Sequence, residues 1–227
     1  TGDTLSIART AAFADKNVAY DVLNASTSKA VSVTGVSLSG TDAANYSVAA
    51  TGSTTAQITP KLLTVTYTGV NKVYDGVRAA TVTTTDDRVA GDTLTIDRSA
   101  LFDTKDVGTA KAVAVSGVNL MGIDASNYTV AATGTTSADV TPRALTIGYT
   151  GVNKVYDAGT TASVTTTDNR VAGDDFIINW TASYADKNVA GGKTVSVTGV
   201  SLSDPAGAST TDAANYTVTT TGSTTAN

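Results

Sequence analysis

YTGVNKVYD occurs at 67–75 and again, without a change, at 149–157. The spacing of 82 residues is too long for a solenoid repeat and suits one small globular domain, so the chain reads as an array of modules. The phase holds on both sides. Pro60 matches Pro142, TVTTTDDRVAGD at 81–92 matches SVTTTDNRVAGD at 163–174, and Asn127-Tyr128 matches Asn215-Tyr216 after a short insertion at 204–209. A further copy precedes these two. GDTL at 2–5 matches GDTL at 91–94, FADKNV at 13–18 matches YADKNV at 184–189, and DAANY at 42–46 matches DAANY at 212–216. Because Gly2 aligns with Gly91, the first copy lacks a counterpart of 60–89.

Proline marks the boundaries. Pro60 and Pro142 stand at equivalent places in ITP and VTP. A residue with no backbone donor, which holds its predecessor extended, suits a stiff connector between β-domains. The modules are therefore 1–59, incomplete and lacking its first strands, 60–141 and 142–227.

Threonine, valine, alanine, serine and glycine dominate, and no stretch has the apolar spacing of an amphipathic helix, so the fold class is all-β. In the middle module strands are expected at 62–67, 80–84, 93–98, 100–102, 112–120, 128–132 and 138–141. Seven short strands with frequent turns point to a tandem array of immunoglobulin-like β-sandwiches. A β-grasp-like module is the alternative, since Asp124-Ala125-Ser126-Asn127 can form one helical turn. In VSVTGVSL at 31–38 the apolar residues alternate, skip a beat at Gly35 and alternate again. That parity shift predicts a β-bulge, and it recurs at Gly117 and Gly199.

Composition excludes several functions. The net charge is −5, and the fifteen lysines and arginines are scattered, which argues against nucleic acid and an anionic membrane surface. No apolar run reaches the length of a membrane span and no signal peptide opens the sequence, so it is expected to be an internal part of a longer protein. There is no cysteine to form a disulfide. Histidine and glutamate are absent too, and all twenty acidic residues are aspartate, so the usual bases, thiol nucleophiles and transition-metal ligands are missing. Neither Asp86-Asp87 nor Asp174-Asp175 recurs as a pair, since Asp87 becomes Asn169 and Asp175 aligns with Thr93 and Thr4. The expectation is no catalytic residue, no cofactor and no metal. The aspartates that do recur, Asp75/Asp157, Asp86/Asp168, Asp3/Asp92/Asp174 and Asp42/Asp124/Asp212, read as turn stabilisers.

Three weaker readings stay open. Calcium at the joints has one nearby carboxylate, Asp139, with Gln57 in its place at the other joint, and the loop around Asp86, Asp87 and Asp92 is a weaker site still. Lys72 and Lys154, with Asn127 and Asn215 in a distant strand, supply the materials of an isopeptide bond. Trp180, which replaces Arg9 and Arg98, is expected at a strand end, where an indole could stack on a sugar ring. Sequons stand at Asn24, Asn45, Asn127, Asn179 and Asn215.

KVYDG at 72–76, FADKNV, VSVTGVSLSG at 31–40, DAANY and the ITP exit together resemble the YDG repeat domain of large bacterial surface proteins, among them filamentous-haemagglutinin-like adhesins exported by two-partner secretion. The resemblance covers nearly the whole chain. It makes Tyr74, Asp75, Tyr156, Asp157, Tyr46, Tyr128, Tyr216, Gly35, Gly117 and Gly199 the structural motif of the repeat. It implies an extracellular or cell-surface stalk or fibre that projects adhesive domains and supports adhesion or biofilm. The partners it implies are neighbouring modules of the same chain. A binding module is the alternative, for host or matrix glycans through Trp180, or for other copies of itself by β-strand complementation at the incomplete first module.

Overall fold

Segments rich in threonine and valine form strands throughout, and in the middle and last repeats their residues alternate in burial. The computed structural model describes residues 2–208 and 211–227. Among them there is no α-helix, and the helical turns are three 3₁₀ segments at Ala43–Asn45, Ala125–Asn127 and Asp212–Asn215, one in each DAANY or DASNY block. The protein is all-β. In the middle repeat the strands expected at 93–98 and 100–102 are one continuous strand, Thr95–Phe102. The strand expected at 112–120 is longer, Gly108–Met121. A short strand that the pattern did not announce, Lys72–Val73, pairs in parallel with Gly134–Thr141.

Contacts group the chain into two compact units. The first takes Thr1–Thr66, Thr85–Arg98 and Ser116–Thr133, and the second takes Tyr67–Thr84, Ser99–Val115 and Gly134–Asn227. Periodicity counts what is repeated, whereas these units count what packs, and the middle repeat contributes to both.

In the first unit, Ser26–Ser39 pairs antiparallel with Ser6–Phe13, Gly52–Gln57 and Ala19–Tyr20. Lys61–Leu63 runs parallel to Tyr128–Val130. Around that pairing Leu63, Leu94 and Tyr128 are buried, with Val65, Ile96, Leu120 and Ala125 packed against them. In the second unit, Arg143–Ala144 runs parallel to Tyr216–Thr217. Ile147–Val152 pairs antiparallel with Ser163–Asp168, and Lys193–Ser203 lies between Ile177–Tyr184 and Thr221–Ala226.

Equivalent residues differ in burial between copies. Tyr128 and Tyr216 are each 6% exposed and Tyr46 is 49% exposed, while Leu94 and Phe176 at 4% and 3% correspond to Leu5 at 37%. The covering strand accounts for the difference. Lys61–Leu63 lies along Tyr128 and Arg143–Ala144 along Tyr216, and no described strand lies along Tyr46.

The bulges follow the parity shift. Thr10 faces Thr34 and Ala8 faces Ser37, so Arg9 opposes both Gly35 and Val36. Thr181 faces Thr198 and Asn179 faces Ser201, so Trp180 opposes Gly199 and Val200. The extra residue keeps Val195 and Val197 buried on one side of the bulge and Val200 buried on the other. Gly35, Gly117 and Gly199 have φ of +63, +62 and +64, the left-handed geometry of a bulge glycine. A Cβ at any of the three would meet nothing within 4 Å, so a substitution there is opposed by backbone conformation alone. Gly199→Val is therefore expected to lower the unfolding free energy by about 1–2 kcal/mol, and Gly199→Asn by clearly less, because asparagine tolerates this region. Urea denaturation of the two variants measures it, and equal losses would contradict the account.

Candidate functional site

Each copy carries a lysine thirteen residues after the aspartate of its GD pair: Lys16 after Asp3, Lys105 after Asp92, Lys187 after Asp174. The structure sends two of these lysines to the aspartates of the next copy. In the second unit the Lys105 Nζ lies 2.8 Å from Asp174 Oδ1 and 3.0 Å from Asp212 Oδ1. The Asp174 carboxylate is buried and accepts from two further donors. The Tyr216 hydroxyl stands 2.7 Å from its Oδ2, and the Tyr74 hydroxyl stands 3.0 and 2.9 Å from its two oxygens. Tyr216 in turn accepts from the Val171 N–H at 2.8 Å. Asp212 is held beside Asp174 by the Asp175 N–H, which donates to its Oδ2 at 3.2 Å. The Val107 N–H, two residues beyond the lysine, donates to Asn215 Oδ1 at 2.8 Å, and the Asn215 amide donates to Asp106 at 3.3 Å. Tyr74 meets Tyr216 edge to face at 5.6 Å, and Phe176 packs on Tyr216 at 5.0 Å.

The first unit contains the same junction. Lys16 binds Asp92 and stands 3.1 Å from Asp124 Oδ1. The Tyr128 hydroxyl donates to Asp92 at 2.6 Å and accepts from the Val89 N–H at 2.9 Å. The Thr93 N–H donates to Asp124 at 2.8 Å, and the Val18 N–H donates to Asn127 Oδ1 at 2.9 Å. The Asn127 amide donates to Asn17 Oδ1 at 3.0 Å. This explains why KNV and KDV interchange, since Asn17 and Asp106 both need only an acceptor oxygen. Its lysine is more open: the Lys16 side chain is 61% exposed against 32% for Lys105.

Charge governs these contacts. Two buried carboxylates close together repel, and desolvation makes each of them costly unless a cation and hydrogen bonds compensate. Burial by itself would push the Lys105 ammonium below its ordinary pKa, but contact with Asp174, Tyr74 and Asp212 outweighs it and holds the group well above. Asp92 and Asp124 hold Lys16 above the usual lysine value, while Lys16 and Tyr128 hold the Asp92 carboxyl below the usual carboxylate value. Burial, helped by Asp174, pushes the Tyr216 phenol up to about 12, which keeps it a neutral donor. The arrangement fixes one repeat on the next.

The remaining expectations divide. Asp174, Asp212, Asp92 and Asp124, read above as turn residues, are the anionic half of the junctions. That role was missed because their cation sits in the neighbouring copy. One lysine per copy at constant spacing from the GD aspartate was the available signal. Tyr74, Tyr128 and Tyr216 are brought into the junctions, and Tyr46 keeps the same bond, donating to Asp3 at 2.5 Å. Asp75 and Asp157 close local turns with Lys72 and Lys154, at 2.7 and 2.8 Å. Those lysines also donate to the carbonyls of Val77 and Gly159, and the Asn215 side chain is engaged by Val107 and Asp106. Asp86, Asp87 and Asp92 diverge to Arg88, Lys61 and Lys16. Trp180 is half-buried in the middle of Ile177–Tyr184 and not at a strand end. It stands opposite the bulge in the register, as Arg9 does in its copy.

The third lysine, Lys187, lies on the last repeat with Asn188, Val189 and Tyr156 around a cavity of about 410 Å³. Tyr156 is 57% exposed and Val189 84% exposed, whereas Tyr74, at the position equivalent to Tyr156, is 1% exposed.

A family model described as the YDG domain matches residues 59–137 and again 141–225. No curated protein and no solved structure matches the chain.

Two outcomes are expected. Lys105→Met leaves two buried carboxylates without their cation and should cost about 2 kcal/mol in urea denaturation, a figure reduced from that of a fully buried pair because the ammonium reaches solvent. Lys16→Met should cost measurably less, and equal losses would contradict the difference in burial. For Asp92, a pKa depressed in the folded state means that its contribution is complete above the ordinary value of 3.8 and is lost as pH falls through the folded value. Asp92→Asn should therefore weaken the protein at pH 7 and make little difference well below pH 3.8, as measured by denaturant midpoints at the two pH values.

Proposed function

The chain belongs to the YDG domain family, and on that premise we propose that it is a non-catalytic structural repeat region, a stalk or fibre of a bacterial surface or secreted adhesin, which projects adhesive domains and supports adhesion or biofilm. The observation that carries this reading is the junction itself. The same lysine, two aspartates, asparagine and tyrosine join successive repeats twice, and the recurrent polar residues of the repeat serve that contact. A chain that invests its buried charges in holding neighbours has the chemistry of a spacer. Export to the cell surface or the extracellular medium is part of the proposal, as are the neighbouring modules as partners. Each repeat is read as an immunoglobulin-like sandwich. Support comes from the antiparallel ladders and from the single 3₁₀ turn that stands where a β-grasp module would pack a helix across its sheet.

The stalk reading is tested by ¹⁵N relaxation at low concentration. One anisotropic rotational correlation time is expected for amides in the first, middle and last repeats. Independent tumbling of the first and last repeats would overturn it.

A further inference from the structure

KVYDG at 72–76 has KVYDA as its counterpart at 154–158, so Ala158 stands where the middle repeat has Gly76. Both residues have positive φ, +79 at Gly76 and +61 at Ala158, and the two turns close alike. The Asp75 carboxylate accepts from the Lys72 ammonium at 2.7 Å and from the Val77 N–H at 3.1 Å. The Asp157 carboxylate accepts from the Lys154 ammonium at 2.8 Å and from the Gly159 N–H at 2.9 Å. The turn therefore forms with either residue. What glycine alone permits is a contact outside the turn. A Cβ on Gly76 would lie 2.6 Å from Cγ1 of Val171, in the RVAGD turn of the next repeat. Val171 has little room to retreat. Its N–H donates to the Tyr216 hydroxyl at 2.8 Å, its carbonyl accepts from the Asp174 N–H at 3.1 Å, and its β-branched side chain is stiff at χ1.

We propose that the residue after the aspartate of this turn sets how closely one repeat seats the next, glycine admitting the valine of the RVAGD turn and alanine excluding it. This rests on the stalk reading and deepens it, because the fit of successive repeats then depends on a single methyl group. The contact lies within the junction. Tyr74, two residues before Gly76, donates to Asp174, three residues after Val171, at 3.0 and 2.9 Å. A Cβ at position 76 pushes the RVAGD turn away, and the bonds of Tyr74 and Lys105 to Asp174 lengthen with it. Gly76 is thus a positioning residue that acts on the junction through Val171. Ala158 gives the last repeat the looser form of the same seat.

Native-state hydrogen exchange of the whole chain tests it at the Val107 amide, which donates to Asn215 across this junction. Gly76→Ala installs the residue of the last repeat and is expected to speed that exchange by about tenfold or more. The Val18 amide, bonded to Asn127 in the other junction, should exchange as in the wild type. Val171→Ala removes the methyl groups that the new Cβ would meet. The double variant should therefore exchange within about threefold of Val171→Ala alone, the mark of a direct contact between the two positions. Unchanged exchange at Val107 in Gly76→Ala would overturn the proposal. So would a double variant in which Gly76→Ala costs as much as it does in the wild type, since the cost would then belong to the turn. In either case a protected Val107 amide in the wild type leaves the stalk reading standing, whereas an unprotected one would remove the junction on which both depend.

Discussion

One ammonium group that must neutralise two buried carboxylates from the next repeat sets the geometry of each junction. The carboxylates cannot be buried together without it, and the lysine cannot reach both unless the turns that carry them lie side by side. The peptide N–H of Thr93 or Asp175 holds the second aspartate beside the first, and the tyrosine hydroxyl fixes the first from the other side. An asparagine then ties the backbone beyond the lysine. Apolar side chains add area to the contact, but the polar network specifies the register, because a shift of one residue would leave buried charge unpaired.

The rest of the fold presents these groups. The long strands Ser26–Ser39, Gly108–Met121 and Lys193–Ser203 each contain a glycine bulge that shifts side-chain parity. Without it the valines beyond the bulge would face solvent. The parallel strand that follows each proline covers the tyrosine of the next DAANY or DASNY block, whose hydroxyl donates to the junction aspartate. The connector therefore does more than space the modules, since the residues after it complete a core.

Much of this was legible in the sequence. The repeat, the all-β class and the bulge positions follow from spacing, composition and parity, because each is a local property of the chain. The junctions were not legible in the same way. Asp174 beside a glycine looks like a turn residue until its partner Lys105 is known, and that partner lies 69 residues away in sequence. Trp180 was misplaced because parity shows which face a side chain occupies and not how far its strand continues. The division of the middle repeat between two compact units is likewise a packing fact, which periodicity cannot report.

The central claim is that the junction is a stabilised contact, and the chain holds its own control. Val107 and Val189 occupy the same position in successive copies, and the Val107 N–H binds Asn215 while Val189 is exposed. Native-state hydrogen exchange at low protein concentration compares them directly. The account predicts that the Val107 amide exchanges only through an opening that breaks the junction and that the Val189 amide exchanges nearly as fast as an unprotected one. Equal exchange rates at the two amides would contradict it.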